Sequence, residues 1–212
     1  METAVRQGAT QAEEAVQVDE YVLPLVLRMR PAVELTEDQF FELCQINHEL
    51  RIERTAEGDL LLMTPAGGGT GAREADITAQ LVVWAKRDGT GTAFSPSAGF
   101  TLPNGAVRAP DASWMPRSRL DEISAEAWEK FIPACPDFVL ELRSPSDRLA
   151  DLQAKMREYL ANGARLGWLL DPLPRHVYIY RPDAPVERLE APETLAGDPV
   201  LPGFILELRE IW

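Results

Sequence analysis

Phe138-Val139-Leu140-Glu141-Leu142-Arg143-Ser144-Pro145-Ser146-Asp147 is an apolar run with one acid inside it, closed by a Ser-Pro break. The apolar run predicts a buried strand over about 137–143, and alternation sorts its side chains onto two faces. Val139, Glu141 and Arg143 share one face; Phe138, Leu140 and Leu142 share the other. A carboxylate on a buried strand must be desolvated unless something binds it, and leaving it unpaired costs several kcal/mol. Glu141 is therefore the position from which function is best sought.

A second acid stands in a comparable setting upstream, in Val107-Arg108-Ala109-Pro110-Asp111-Ala112-Ser113-Trp114. Pro110 removes a ladder donor and predicts a strand edge, end or bulge there. Irregular strand positions often aim a side chain into a site. Asp111 is then either a turn residue after Pro or a ligand that joins Glu141. Two acids on neighbouring strands suit a hard divalent cation. Arg143 either pairs with Glu141 as a structural ion pair or steadies a phosphate or carboxylate beside it.

Outward from this stretch, Ser144-Pro145 has the grammar of a helix start and Asn162-Gly163 that of a helix end. Leu149, Leu152, Met156 and Tyr159 form the apolar stripe between them. Lys155, at the edge of that stripe, either pairs with Asp151 on the surface or reaches back over the strand end towards Glu141. Strands are predicted at Leu166–Leu170 and His176–Arg181, joined through Asp171-Pro172-Leu173-Pro174, and finally at 204–208. Upstream, Thr36-Glu37-Asp38-Gln39 is a capping box. Leu50–Arg54 and Leu60–Met63 flank Glu57-Gly58-Asp59 as a hairpin. Pro65–Gly71 reads as a flexible loop before a helix from about Ala72 to Arg87, because the Gly-rich stretch lacks the Lys-Ser/Thr ending of a phosphate loop. Glu74 on that helix either snorkels or faces the same site as Asp111 and Glu141. Strands over 93–102 and 107–115 and a short helix over 125–131 complete the order. The pattern predicts an α/β (α+β) chain with a central mixed sheet flanked by helices.

With 212 residues, 45% hydrophobic and 26% charged, the chain reads as a soluble globule: a tail over 1–18 and one domain over 19–212. No apolar stretch approaches the roughly 20 residues of a membrane span, and no signal peptide is evident. Cys44 and Cys135 read as separate thiols of a reducing cytoplasm. His48 and His176 lack metal-ligand spacing. The net charge of −13 speaks against casual nucleic-acid binding without excluding a local basic groove.

The series Arg108–Trp114, Cys135–Asp147, Lys155-Met156-Arg157-Glu158-Tyr159, Asn162-Gly163 and Gly167-Trp168-Leu169-Leu170-Asp171-Pro172 resembles the Uma-two family. Its members are grouped as restriction endonucleases of the PD-(D/E)XK nuclease superfamily. The resemblance runs from about residue 30 to the C-terminus. It implies a restriction-endonuclease-like core and a Mg²⁺-dependent endodeoxyribonuclease, with Mg²⁺ or Mn²⁺ as cofactor, DNA as partner and a homodimer that cuts two strands. Carried over, Asp111 is the motif acid and Glu141 the second metal-binding acid, with the backbone carbonyl of Leu142 beside them. Glu74 matches the acid of the first core helix. Where the superfamily usually has Lys, two residues after the second acid, this chain has Arg143, and Lys155 matches a helix lysine that replaces it. The competing expectation is a catalytically silent member that keeps the fold as a DNA- or protein-binding module.

Overall fold

The structure is a computed structural model and describes residues 24–212; the tail expected over 1–18 lies outside the described residues. The strand built on the opening stretch is β8 (Phe138–Leu142), and all five of its residues are buried. In chain order it is preceded by β1 (Leu25–Leu27), α1 (Glu37–Ile46), β2 (Arg51–Arg54), β3 (Leu60–Met63), α2 (Gly68–Asp88), β4 (Gly91–Phe94), β5 (Phe100–Thr101), β6 (Val107–Arg108), β7 (Ala112–Pro116), α3 (Arg117–Leu120) and α4 (Ala125–Trp128). It is followed by α5 (Leu149–Ala161), β9 (Leu166–Asp171), β10 (His176–Tyr180), β11 (Glu187–Glu190), β12 (Thr194–Ala196) and β13 (Ile205–Glu207).

The central sheet is mixed, in the order β11-β10-β9-β8-β7-β4. Its parallel pair is β8 with β9, and α5 makes the crossover between them. A parallel pair needs such a connection, because a short turn cannot bring the chain back to the same end. Alternation along β8 divides the core as expected. Phe138, Leu140 and Leu142 pack with Ile77, Leu81 and Ala85 of α2 and with Phe204, Leu206 and Ile211 of the C-terminal segment. Val139 packs on the opposite face with Met156 and Tyr159 of α5. Glu141 shares that second face, so it lies beneath α5.

A second, antiparallel sheet runs β1-β3-β2-β6-β5, with α1 packed against it through Phe40. The Thr36 hydroxyl accepts from the Gln39 amide at 3.2 Å, and the Gln39 side chain accepts from the Thr36 amide at 3.0 Å. Pro110 has no amide to donate, and the chain passes from the antiparallel sheet (β6) to the mixed one (β7) at Ala109-Pro110-Asp111. Among the described residues no helix is long and apolar enough to cross a membrane. Cys44 and Cys135 are both free thiols.

Three boundaries differ from expectation. Helix α2 begins at Gly68 and takes in most of the loop expected over 65–71. Arg73 ties that first turn to the C-terminus by donating to the Ile211 carbonyl at 2.7 Å. The stretch 93–102 is two strands in different sheets, not one. Ser144–Asp147 is a turn, and α5 begins only at Leu149. The Ser144 amide donates to the Asp147 carboxylate at 2.7 Å, which closes the turn on itself before a helix can start.

Gly91 marks where β4 and β7 meet. A Cβ there would lie 2.2 Å from the Met115 carbonyl oxygen and 2.5 Å from the Trp114 ring. Neither neighbour can swing aside as a flexible side chain would. Gly91→Ala is expected to cost about 1–3 kcal/mol, a fall of roughly 5 °C in a circular-dichroism melt. An unchanged melt would show that β4 is not held this closely.

Candidate active site

Continuing the β7–β8 register beyond Ala112↔Leu140 sets Asp111 directly opposite Glu141. Cross-strand neighbours have Cβ atoms about 5 Å apart, near enough to share one ion. Asp111 is 6% exposed and Glu141 3%. The Leu142 amide donates to Asp111 Oδ2 at 2.8 Å, which fixes that carboxylate to the end of β8. Within a strand the carbonyl of a residue lies on the same edge as its amide, so the Leu142 carbonyl opens on the Asp111 edge.

Lys155 comes from α5. Its ammonium lies 2.9 Å from Glu141 Oε1 and 2.9 Å from Oε1 of Glu53. One turn on, the Tyr159 hydroxyl donates to the same Glu141 oxygen at 2.9 Å. Lys155 does not pair with Asp151, which faces Arg148 instead. The helix stripe that buries Met156 and Tyr159 therefore carries Lys155 inward with it.

Glu53, from β2, was not singled out from the sequence. It is 2% exposed and joins three donors: Lys155, the Arg108 guanidinium at 3.2 Å and the Ala109 amide at 3.1 Å. Arg108 also donates to Glu158 of α5 at 2.6 Å. The antiparallel sheet is thereby clamped to α5 by Glu53-Lys155 and Arg108-Glu158. Arg51, two residues before Glu53 and on the same face, places both terminal nitrogens 3.4 Å from Asp111 Oδ1 and also donates to the Ala109 carbonyl.

These surroundings push the acids apart. Burial drives the Glu141 carboxyl up to about 7; Lys155 opposes this, and the Asp111 and Glu53 charges add to it. Burial also acts on Glu53, but Lys155, Arg108 and Arg51 outweigh it and hold that carboxyl down at about 2. Burial disfavours the Lys155 ammonium, yet Glu141 and Glu53 outweigh it and raise its pKa, so Lys155 stays charged. Burial, then the Glu141 charge, keeps the Tyr159 phenol protonated and a donor.

The remaining expected residues lie further out. Glu74 is half-buried on α2; burial and then the Asp111 charge raise its pKa. It does not complete a three-acid cage: among the described residues no three His, Cys, Asp or Glu side chains are grouped to hold a metal ion. Arg143 turns away from Glu141. Its guanidinium donates to Asp171 at 2.8 Å and to the Asp147 carbonyl at 3.1 Å. Asp171, expected to be a turn residue, is a 1% exposed partner at the end of β9. With Nε and one terminal nitrogen of Arg143 turned to Asp147 and Asp171, Arg51 and Lys155 are the cations beside the acids.

The donor set fits a hard cation that keeps part of its water shell. Lys155 and Tyr159 converge on Oε1 of Glu141, and among the described residues none donates to Oε2. Asp111 Oδ1 receives only the long Arg51 contacts. Mg²⁺ is commonly held by one or two carboxylates with waters and substrate phosphate completing the octahedron. Asp111 and Glu141, with the Leu142 carbonyl, supply that number and kind of ligand.

A family model described as "Uma2: Putative restriction endonuclease" matches residues 37–209. Among solved structures, the fold is similar to that of a "putative nuclease belonging to DUF820" from Anabaena variabilis. The TM-score is 0.68 at 21% identity, covering 84% of this chain and 97% of that one. No curated protein matches.

Proposed function

The chain belongs to the Uma2 family, and from that premise we propose that it is a Mg²⁺- or Mn²⁺-dependent endonuclease hydrolysing phosphodiester bonds in DNA. One observation carries this reading: the Lys155 ammonium lies 2.9 Å from Glu141, and the β7–β8 register, continued by one residue, brings Asp111 opposite that acid. When bound there, a divalent cation polarises a phosphate oxygen and acidifies a water. Asp111, Glu141 and the Leu142 carbonyl would hold it. Tyr159 and Lys155 fix the orientation of the Glu141 carboxyl, and the Lys155 ammonium offers positive charge to a phosphate oxygen on which negative charge develops. Glu74, whose carboxyl feels the Asp111 charge, would orient a water.

The test is nicking of supercoiled plasmid. Conversion to open-circular and linear forms is expected with Mg²⁺ or Mn²⁺ and none in excess chelator; cleavage that persists in chelator, or none with either metal, would reject the reading. The pH dependence of Mn²⁺ binding is a further expected result. Glu141 holds a proton below about pH 7, and a cation must displace it. Apparent affinity should fall about tenfold per pH unit below 7 and level off above it. A calorimetric profile flat from pH 5 to 8 would show that Glu141 is not a ligand.

A second reading is favoured by the same ammonium. Lys155 is shared between two carboxylates, an arrangement that already offsets part of the negative charge without a metal. In a silent DNA- or protein-binding member that pairing would be the resting state, and Mn²⁺ titration would show no heat that Asp111→Asn removes.

A further inference from the structure

Among the described residues Arg51 is the guanidinium that reaches Asp111, and its contacts there are incomplete. Both terminal nitrogens stand 3.4 Å from Asp111 Oδ1, well beyond the 2.7–2.9 Å of a good charge-assisted pair. Its Nε is buried with no hydrogen-bond partner, although buried polar groups are nearly always satisfied. The side chain is 33% exposed, so a route to solvent is open to it. Compare Arg108, whose guanidinium is 10% exposed and donates to both Glu53 and Glu158. Arg108 is held by two carboxylates; Arg51 donates to the Ala109 carbonyl but meets its one carboxylate, Asp111, only at long range.

We infer that Arg51 is a stand-in counter-ion: it occupies the Asp111 side of the site when no divalent cation is bound and is displaced when one binds. This rests on the metal-dependent reading above. Two effects of Arg51 on a cation oppose each other. Its charge repels the cation, and its hydrogen bonds could orient Asp111 to receive it. The distances decide between them. Asp111 is already oriented by the Leu142 amide at 2.8 Å, whereas Arg51 contributes only the 3.4 Å contacts. Repulsion between like charges a few ångströms apart in a partly buried site is worth kcal/mol. Removing Arg51 should therefore strengthen cation binding, the opposite of what loss of a supporting residue would do.

The experiment is calorimetric titration with Mn²⁺ alone, at pH 8, on the unsubstituted chain, Arg51→Met, Arg51→Gln and Asp111→Asn. Arg51→Gln keeps a donor for the Ala109 carbonyl and serves if Arg51→Met does not fold. The expected result is binding at least about tenfold tighter in the folded Arg51 variant, and none in Asp111→Asn. Equal or weaker binding in the Arg51 variants, beside a site in the unsubstituted chain that Asp111→Asn removes, overturns the inference and leaves the metal-dependent reading standing. No Asp111-dependent site in the unsubstituted chain or in the Arg51 variants overturns both.

Discussion

Asp111→Asn is expected to abolish Mn²⁺ binding and to lower plasmid cleavage by at least about 10²-fold, with the melting temperature almost unmoved. The reason for the large first effect is the ligand count. Two carboxylates are available, Asp111 and Glu141, and no third acid is grouped with them among the described residues. Losing one of two charges removes half of the protein's anionic hold on a dication, more than the loss of a single oriented donor, itself worth about 10²–10³ in rate. The small second effect follows from local geometry. An Asn oxygen still accepts the Leu142 amide that now bonds Asp111 Oδ2 at 2.8 Å. What is lost is a contact at 3.4 Å to a partly exposed arginine, set against relief of repulsion with Glu141. Calorimetry, nicking kinetics and a thermal melt on one preparation read all three. Retained Mn²⁺ heat, or cleavage within a few-fold of the unsubstituted chain, would remove Asp111 from the site.

The same acids show what could be read from the amino-acid order and what could not. Glu141 was legible because its neighbours are apolar on both sides, so its burial followed from the strand itself. Asp111 was legible through Pro110, which has no amide to donate where the chain changes sheets. Lys155 followed from helical spacing, because the stripe that buries Met156 and Tyr159 carries it inward.

Glu53 was not legible, although it is as deeply buried as Glu141. Its strand, Arg51-Ile52-Glu53-Arg54, is three-quarters charged and reads as a solvated hairpin arm. Its burial comes from α5 and from Arg108, contacts far away in sequence that no local pattern announces. Arg143 failed for a related reason. Its face of β8 was read correctly, but its partner Asp171 arrives on the neighbouring strand β9, with Arg143 drawing on the Leu170 carbonyl through its own amide. The helix starts at Gly68 and Leu149 were misplaced because a tertiary tie from Arg73 to Ile211 extends one helix, and a competing local turn from Ser144 to Asp147 delays the other.

Lys155→Met should be the most destabilising substitution in the site, and its effect should depend on pH in a definite direction. Glu53 and Glu141 are each 3% exposed in their side chains and share this one ammonium. Breaking a buried ion pair by removing one partner costs about 3–5 kcal/mol. For a chain of this length that is a fall of roughly 10 °C in melting temperature. In the unsubstituted chain the Glu53 carboxyl is held down at about 2, below its unfolded value near 4.5. It therefore contributes stability that is present above pH 4.5 and lost as the pH falls towards 2. Lys155 is the leading cause of that lowering, so the variant forfeits most of the contribution. Glu141 moves the other way. Its carboxyl, already up at about 7, rises further without Lys155, so the variant pays an added cost as the pH climbs past 7. Both changes widen the gap at high pH and narrow it at low pH, where protonation relieves the unpaired charges. Urea unfolding of the two chains at pH 5 and pH 8 should give a deficit at pH 8 larger by at least about 1 kcal/mol, one pKa unit being worth 1.36 kcal/mol. Lys155→Arg, which keeps the charge, should recover part of it. A deficit of the same size at both pH values would mean that Met fails by packing alone and that the ammonium does not hold these two acids.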